Sequence, residues 1–334
     1  MSDLVILHNV SPHIGWAPIN HLISLACSEL GATAIRAPEN TSRLARQMAR
    51  LRTRHHSSGK PHLLYIAMTA ADLRHAITSP GWRDGYDKAA VWIIDSFHTD
   101  LANPRDLRGQ FDQVFVTRPN DMDAFATASG LPTQSLPWGS DVLGLGSSSP
   151  DRDLDLLRVG RQPAVWEDDD DTATDCAARG ISFHGRPPMG TSEDEMAHLF
   201  GWYRRAKFVL ASSNLVSPAA YVHKTQEYVT ARWTDALASG AIVAGVPPRT
   251  DRTLGAILWP EGLLDIPLTS RADGLDVIAD ALRHWSPELA HYNHLQALRK
   301  LDWRHRLAVL ADWYSLPAPA LEKSLKTLQE TDHA

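Results

Sequence analysis

Cysteine is nearly missing from the sequence: Cys27 and Cys176 are the only two in 334 residues, far apart and without metal-type spacing. That leaves no disulfide framework, and it suits a reducing compartment. A positive excess is also lacking. With 33 Lys and Arg against 39 Asp and Glu, the formal net charge is −6, which argues against a general nucleic-acid binder. No apolar run approaches the ~18 residues that cross a bilayer. The opening MSDLVILHNVSPHIGW carries neither a basic n-region nor a long apolar h-region. The expected location is cytoplasmic, at most peripheral at the inner membrane surface. The G-x-G-x-x-G turn of dinucleotide-binding sheets is absent too, which counts against a nicotinamide-dependent dehydrogenase.

What is present is a globular composition, 43% hydrophobic and 22% charged, in a chain long enough for two domains. Short apolar runs rich in β-formers alternate with longer amphipathic stretches. Runs at 4–8, 32–37, 62–68, 90–95 and 113–117 read as buried strands, with helices at 19–31 and 41–52 between them. Strands alternating with helices predict βαβ units and parallel sheets. The pattern pauses at GLGSSSPDRD (144–153), a small, polar, Pro-containing linker, and restarts with strands at 155–160, 180–185, 207–212, 241–246 and 263–268. The expected fold is α/β, with two Rossmann-like domains facing a cleft. Domains are expected over 1–146 and 153–315 with a helical tail over 316–334, and the terminal helices of 287–334 are expected to pack over the domain junction. Ligands of such sheets bind beyond the carboxyl ends of the strands, so the residues that follow each strand carry the functional reading.

The stretch EYVTARWTDALASGAIVAGVPP, residues 227 to 248, is the densest in such residues. Thr230 reads as the N-cap of a short helix and Gly240 as its left-handed C′ residue. A helix N-terminus carries free N–H groups and partial positive charge, which favour a phosphate. Arg232 sits in the first turn, against the dipole, where an intervening anion would reconcile the two. Asp235 lies one turn further on, and a carboxylate accepts two hydrogen bonds from a vicinal diol. Glu227 precedes the helix. A phosphate, a ribose diol and a second polyol account for all three, which describes a nucleotide-sugar. A solvated Arg–Asp pair on an ordinary surface helix is the plainer alternative.

Glu227 and Asp235 enclose seven residues, and Asp235 opens DALASG. This resembles the E-x7-E element of retaining GT-B glycosyltransferases, with Asp where the family has the second Glu. The resemblance implies that Glu227 lies near the donor sugar and that Asp235 binds the ribose hydroxyls. The stretch KFVLASSN, together with EYVTARWTDALASG, is also similar to a fucosyltransferase pattern. There Tyr228, Val229 and Thr230 match, Arg232 stands for a phosphate-binding Lys, and Ala231 replaces the expected Glu. Arg161, just past the strand in LRVGRQP, resembles the family's phosphate-binding arginine, a bidentate fork for phosphate oxygens. Trp166, Glu167 and Asp168 stand where the family places a Lys, with Arg186 and Lys224 as substitutes.

In the first half, Gly15 sits in the first strand–helix loop, where similar enzymes carry a glycine facing the cleft. Asp95 ends the strand VWIID and His98 follows three residues later. The resemblance brings His98 toward the donor sugar, and in an inverting enzyme Asp95 or His98 is the base for the acceptor hydroxyl. His13 is a weaker third candidate. DMD (121–123) and DRD (151–153) end no apolar strand and read as caps and surface acids, not as a metal site. Catalysis on this fold proceeds without a metal, because helix dipole and cations stabilise the leaving diphosphate. Residues 41–60 collect Arg43, Arg46, Arg50, Arg52, Arg54 and Lys60 around Leu44, Met48 and Leu51. They read as a surface helix packed on the sheet or, alternatively, as a peripheral contact with an anionic membrane.

The sequence therefore predicts a GT-B glycosyltransferase, retaining and metal-independent, without a resident cofactor. It moves a sugar from a nucleotide-diphosphate donor to a hydroxyl acceptor, whether glycan, lipid-linked or small molecule. The catalytic candidates are Asp95, His98 and Glu227; the donor-binding candidates are Gly15, Arg161, Thr230, Arg232 and Asp235. The alternatives are a nucleotide-sugar epimerase of the same fold, an inverting fucosyltransferase-like enzyme, or a non-catalytic nucleotide-sugar-binding protein.

Overall fold

The computed structural model describes residues 3–12, 14–38, 42–44, 47, 48, 59–77, 82–188, 190, 195–220, 222–267 and 270–332. Its apolar runs form two parallel sheets. The first contains β1 (Leu4–His8), β2 (Thr33–Arg36), β3 (His62–Ala67), β4 (Ala89–Ile93), β5 (Gln113–Val116) and β6 (Thr133–Ser135), in the order β2-β1-β3-β4-β5-β6. The second contains β7 (Leu154–Arg158), β8 (Phe183–His184), β9 (Ala206–Leu210), β10 (Ile242–Gly245) and β11 (Leu263–Asp265), in the order β11-β10-β9-β7-β8.

Helices cover both faces of such sheets, so central strands read as continuous apolar runs rather than alternating ones. β4 is buried at every position. Around it Leu63, Tyr65, Val91, Ile93, Val114, Val116 and Phe125 form one core. In the second sheet Leu156, Phe208, Leu210, Ile242 and Ala244 pack with Trp166, Leu275 and Ile278. The strand the sequence did not predict, β6, is a three-residue edge strand of sequence TQS. It has no apolar run to betray it.

Both sheets reverse direction of growth once. β1 pairs with β2 on one side and β3 on the other, and β7 pairs with β8 on one side and β9 on the other. Such a switch point opens a crevice at the carboxyl ends of the two diverging strands. Two compact units result: Met1–Pro137 with Arg304–Lys326, and Trp138–Trp303 with Thr327–Ala334. The chain returns to the first unit through the helix Trp303–Tyr314, and the residues after Lys326 group with the second unit. The expected helix over 41–52 and the candidate His13 lie largely outside the described residues. Among the described residues no helix is long and apolar enough to cross a membrane.

Candidate functional site

In the second unit the β7/β9 switch point is closed below by Gln162, whose Nε2 donates to the carbonyls of Val159 (3.3 Å) and Leu210 (2.8 Å). Gly160 turns the chain out of β7 with φ +69°, the left-handed region that glycine enters without strain. Arg161 follows and donates from Nε to the Ser217 carbonyl at 2.6 Å. Across Gly160 lies Arg232, whose Nη1 donates to the Arg161 carbonyl at 2.5 Å. A Cβ on Gly160 would stand 3.2 Å from Arg232 Cδ. The structure thus brings the two predicted arginines together over one glycine turn.

Arg232 belongs to the helix Ala231–Ala238, and Thr230 occupies its N-cap position with extended backbone. The cap is only half of what the sequence predicts. Thr230 makes no side-chain cap bond, and its Oγ1 is buried without a partner among the described residues. Gly240 takes the left-handed conformation expected after the helix, φ +74°. The carboxyl end of the helix is well supplied with donors. The ring Nδ1 of His294 meets the Ala238 carbonyl at 2.7 Å, which makes Nδ1 the protonated nitrogen. The buried Arg152 donates to the Ser239 carbonyl. The Arg152 guanidinium and the His294 N–H at this end complement the helix dipole, whose amino end favours an anion.

Glu227 is 7% exposed and both of its oxygens are engaged. Oε1 accepts from Ser213 Oγ at 2.5 Å and Oε2 from the Thr250 amide at 2.8 Å. Ser213 follows β9 and Thr250 follows β10, so Glu227 joins the two strand ends in front of the helix. Asn214 secures the same arch by donating to the His223 and Gln226 carbonyls, 2.9 Å each. Asp251 takes the Val229 amide at 3.0 Å. Sequence reasoning missed these partners; only the cluster of small polar residues in LASSN after a strand could have pointed to them.

Asp235, predicted to meet a ribose, is 1% exposed. Oδ1 accepts from Ser140 Oγ at 2.7 Å, and Oδ2 is buried without a partner among the described residues. Burial, reinforced by the Asp141 carboxylate and opposed by hydrogen bonds from Ser140 and Thr234, pushes its carboxyl up to about 7.

The acidic run 167–171 is a helix start. Asp168 caps the helix Asp169–Ala177, accepting from the Asp171 amide at 2.9 Å. Glu167 and Asp169 also pair with buried Arg158, at 2.9 and 2.6 Å, beneath the site. Arg186 is exposed and lies 3.6 Å from Glu167, and Lys224 is exposed.

In the first unit Gly15 is exposed in a tight helical turn, Ile14–Trp16, shortly after β1. Asp95 lies just past β4, its amide donating to the Met68 carbonyl beyond β3 at 2.7 Å. His98 is tied back to it through its amide and the Asp95 carbonyl (3.3 Å), and its ring rests on Phe97, centroids 4.7 Å apart. Among the described residues the Asp95 carboxylate takes no hydrogen bond. Burial, then the nearby Asp72 carboxylate, push it up to about 7. Asp72 itself caps a short helical turn by accepting from the Thr69 amide (2.9 Å) and Oγ1 (3.1 Å). Asp121, expected at the surface, is 4% exposed and accepts from buried Ser96 Oγ at 2.7 Å. Its apolar neighbours in the sequence are too few to announce that burial.

No known protein family and no curated protein matches the sequence. Solved structures do match. HepE of Anabaena, crystallised in complex with UDP, aligns with a TM-score of 0.55 at 10% identity, over 93% of this chain and 99% of that one. The chain has the GT-B fold. Sucrose-phosphate synthase of Thermosynechococcus elongatus gives a TM-score of 0.54 at 11% identity, over 93% and 98% of the two chains. OtsA in its apo form gives 0.54 at 8% identity, over 92% and 98%. The GT-B sheets thus extend over nearly the whole described chain, and the two switch points fall where sheets of this kind bind their ligands.

Proposed function

We propose that the protein is a glycosyltransferase that binds a nucleoside-diphosphate sugar in its second unit. The observation that carries this reading is the tie of Arg232, in the first turn of the helix Ala231–Ala238, over Gly160 to the main chain of Arg161, just past the carboxyl end of β7. Two guanidinium groups and free amide N–H groups suit a diphosphate. The buried Thr230 Oγ1 adds a hydroxyl that a phosphate oxygen would satisfy. A similar fold crystallised with UDP supports the choice of ligand class.

In the proposed reaction the bond from the anomeric carbon to the diphosphate oxygen breaks, and a bond to the acceptor oxygen forms. The acceptor's proton leaves with a base, and the electron pair leaves with the diphosphate. Arg161, Arg232 and the helix terminus neutralise the developing charge, so this reading calls on no metal. Glu227, held rigidly by Ser213 and Thr250, is assigned to the donor sugar and to retention of configuration. From the first unit, Gly15 is assigned to the donor, and Asp95 and His98 to the catalytic chemistry. The inverting reading has one observation of its own: an Asp95 carboxylate that accepts no hydrogen bond and titrates near neutrality has the properties of a general base.

The test is a thermal-shift panel with UDP, GDP, dTDP, CDP and NAD, because a ligand bound only by the native state raises the melting midpoint with its affinity. A rise with one nucleoside diphosphate and none with NAD is expected. Equal silence from all four diphosphates would remove the donor site and, with it, the enzyme.

A further inference from the structure

We propose that Asp235 is a positioning residue, the anchor that fixes the helix Ala231–Ala238 to the crossover segment 138–143, and that it makes no contact with nucleotide. The inference rests on the donor-site reading above for its consequence, but its geometry stands in the second unit alone.

The anchor is built from three layers. In the middle runs the crossover. Ser140, fully buried, donates its amide to the Leu301 carbonyl (2.9 Å) and accepts the Trp303 amide (3.0 Å), forming a parallel bridge with Asp302. Leu143 adds a bond from its amide to Asp302 Oδ2 at 2.8 Å. Gly139 lies so close to the returning chain that a Cβ there would stand 2.4 Å from the Leu301 carbonyl oxygen. On one side of the crossover is therefore 301–303, joined to it by main-chain bonds.

On the other side is the helix, joined to it by two side chains. Asp235 Oδ1 receives Ser140 Oγ at 2.7 Å, and Thr234 Oγ1 donates to the Gly139 carbonyl at 3.0 Å. Both helix residues are at most 1% exposed. The helix end is held separately by His294 and Arg152. With its middle and its end gripped, the direction of the helix is set, and so is the place of its amino terminus and of Arg232.

A ribose has no route to Asp235 in this arrangement. One oxygen is committed to Ser140, and the residue is only 1% exposed, so neither oxygen faces a surface that a ribose could reach. The shorter Asp, where the resemblance expects Glu, keeps the carboxylate one methylene nearer its own helix. Its elevated titration agrees with a group shielded from solvent.

The experiment compares Ser140→Ala, Asp235→Ala, the double variant and the conservative Asp235→Asn, whose amide oxygen keeps the Ser140 bond. Calorimetry gives affinities for UDP, GDP, dTDP and CDP and for inorganic pyrophosphate. An anchor predicts that Ser140→Ala and Asp235→Ala weaken the best nucleoside diphosphate and pyrophosphate by the same factor, about fivefold for one buried hydrogen bond. The double variant should be no worse than either single one, and Asp235→Asn should bind like wild type. A ribose contact predicts otherwise: both Asp235 variants lose nucleotide while pyrophosphate and Ser140→Ala are unaffected, and that result overturns the proposal.

If wild type binds no diphosphate, the donor-site reading falls while the anchor is still decided by amide exchange. Exchange across 139–143 should quicken in Ser140→Ala and Asp235→Ala but not in Asp235→Asn. Unchanged exchange in all three would end the anchor as well.

Discussion

Arg232 lays its side chain across Gly160 and donates from Nη1 to the carbonyl of Arg161, 2.5 Å away. One bond thereby joins the first turn of the helix Ala231–Ala238 to the loop after β7, and it lays the Arg232 side chain over Gly160 against the main chain of Arg161. Arg232→Ala removes both the cation and the tie. The expected loss in nucleoside-diphosphate affinity is about 10- to 100-fold, in keeping with ~1.5–3 kcal/mol for a charged hydrogen bond. Arg232→Lys keeps the charge but not the fork, and should recover part of it. Titration calorimetry decides; wild-type affinity in Arg232→Ala would take the residue out of the site.

Gly160→Ala tests the turn rather than the cation. An L-residue at φ +69° costs about 1–2 kcal/mol, and the added Cβ would press on Arg232 Cδ at 3.2 Å. The melting midpoint should fall by several degrees, with diphosphate affinity falling too. Gly180 has almost the same φ, +68°, but a Cβ there would meet nothing within 4 Å. Gly180→Ala should therefore cost stability alone. Equal affinity loss in both would show that the effect comes from stability and not from the displaced arginine.

The fold was legible because burial on both faces of a parallel sheet writes strands as apolar runs; β1, β3, β4, β5, β7, β9 and β10 all begin within two residues of the expected places. β6 was not legible, since an edge strand of TQS buries too little to need apolar residues. The arginines could be placed from their distance to strand ends. The setting of Asp235 could not, because its partner Ser140 lies 95 residues earlier and nothing local records that contact. Likewise Glu227 shows its position in the sequence but not its bonds to Ser213 and Thr250, which come from two other strand ends.

Asp95 should titrate near neutrality in the native protein. Burial and the Asp72 carboxylate both disfavour its charged form, so Asp72→Asn removes the like charge and moves the midpoint down. The substituted amide retains an oxygen for the Thr69 N–H, which preserves the turn. Carboxyl-carbon NMR of labelled aspartate reads the midpoint without needing an acceptor substrate. An Asp95 midpoint near the ordinary aspartate value would remove the argument for a general base.

Glu227→Gln and Glu227→Ala should behave differently. A glutamine oxygen can take the Thr250 amide while its NH2 turns to Ser213, whose hydroxyl rotates to accept. Folding and free-nucleotide affinity should survive, and sugar transfer should not. Glu227→Ala leaves the Thr250 amide and the Ser213 hydroxyl without their buried acceptor, at about 1–3 kcal/mol for each group. Equal melting midpoints for the two variants would contradict the bonding described for Glu227.

The pH dependence of stability gives Asp235 a signature of its own. Its native carboxyl is pushed up to about 7, above the roughly 3.9 of an unfolded aspartate. Between those values the native state holds a proton that the unfolded state has released, so stability falls as pH rises. The contribution is complete below about pH 4 and gone once pH has passed about 7. Asp95 acts with the same sign, so wild-type melting curves alone do not separate the two. Asp235→Asn does, because an amide keeps the acceptor for Ser140 and has no proton to lose. Its melting midpoint should decline less than that of wild type as pH rises from about 5, and the difference should open below neutrality and stop widening once pH has passed about 7. Parallel declines would mean that Asp235 ionises as easily in the folded chain as in the unfolded one and would overturn its raised titration.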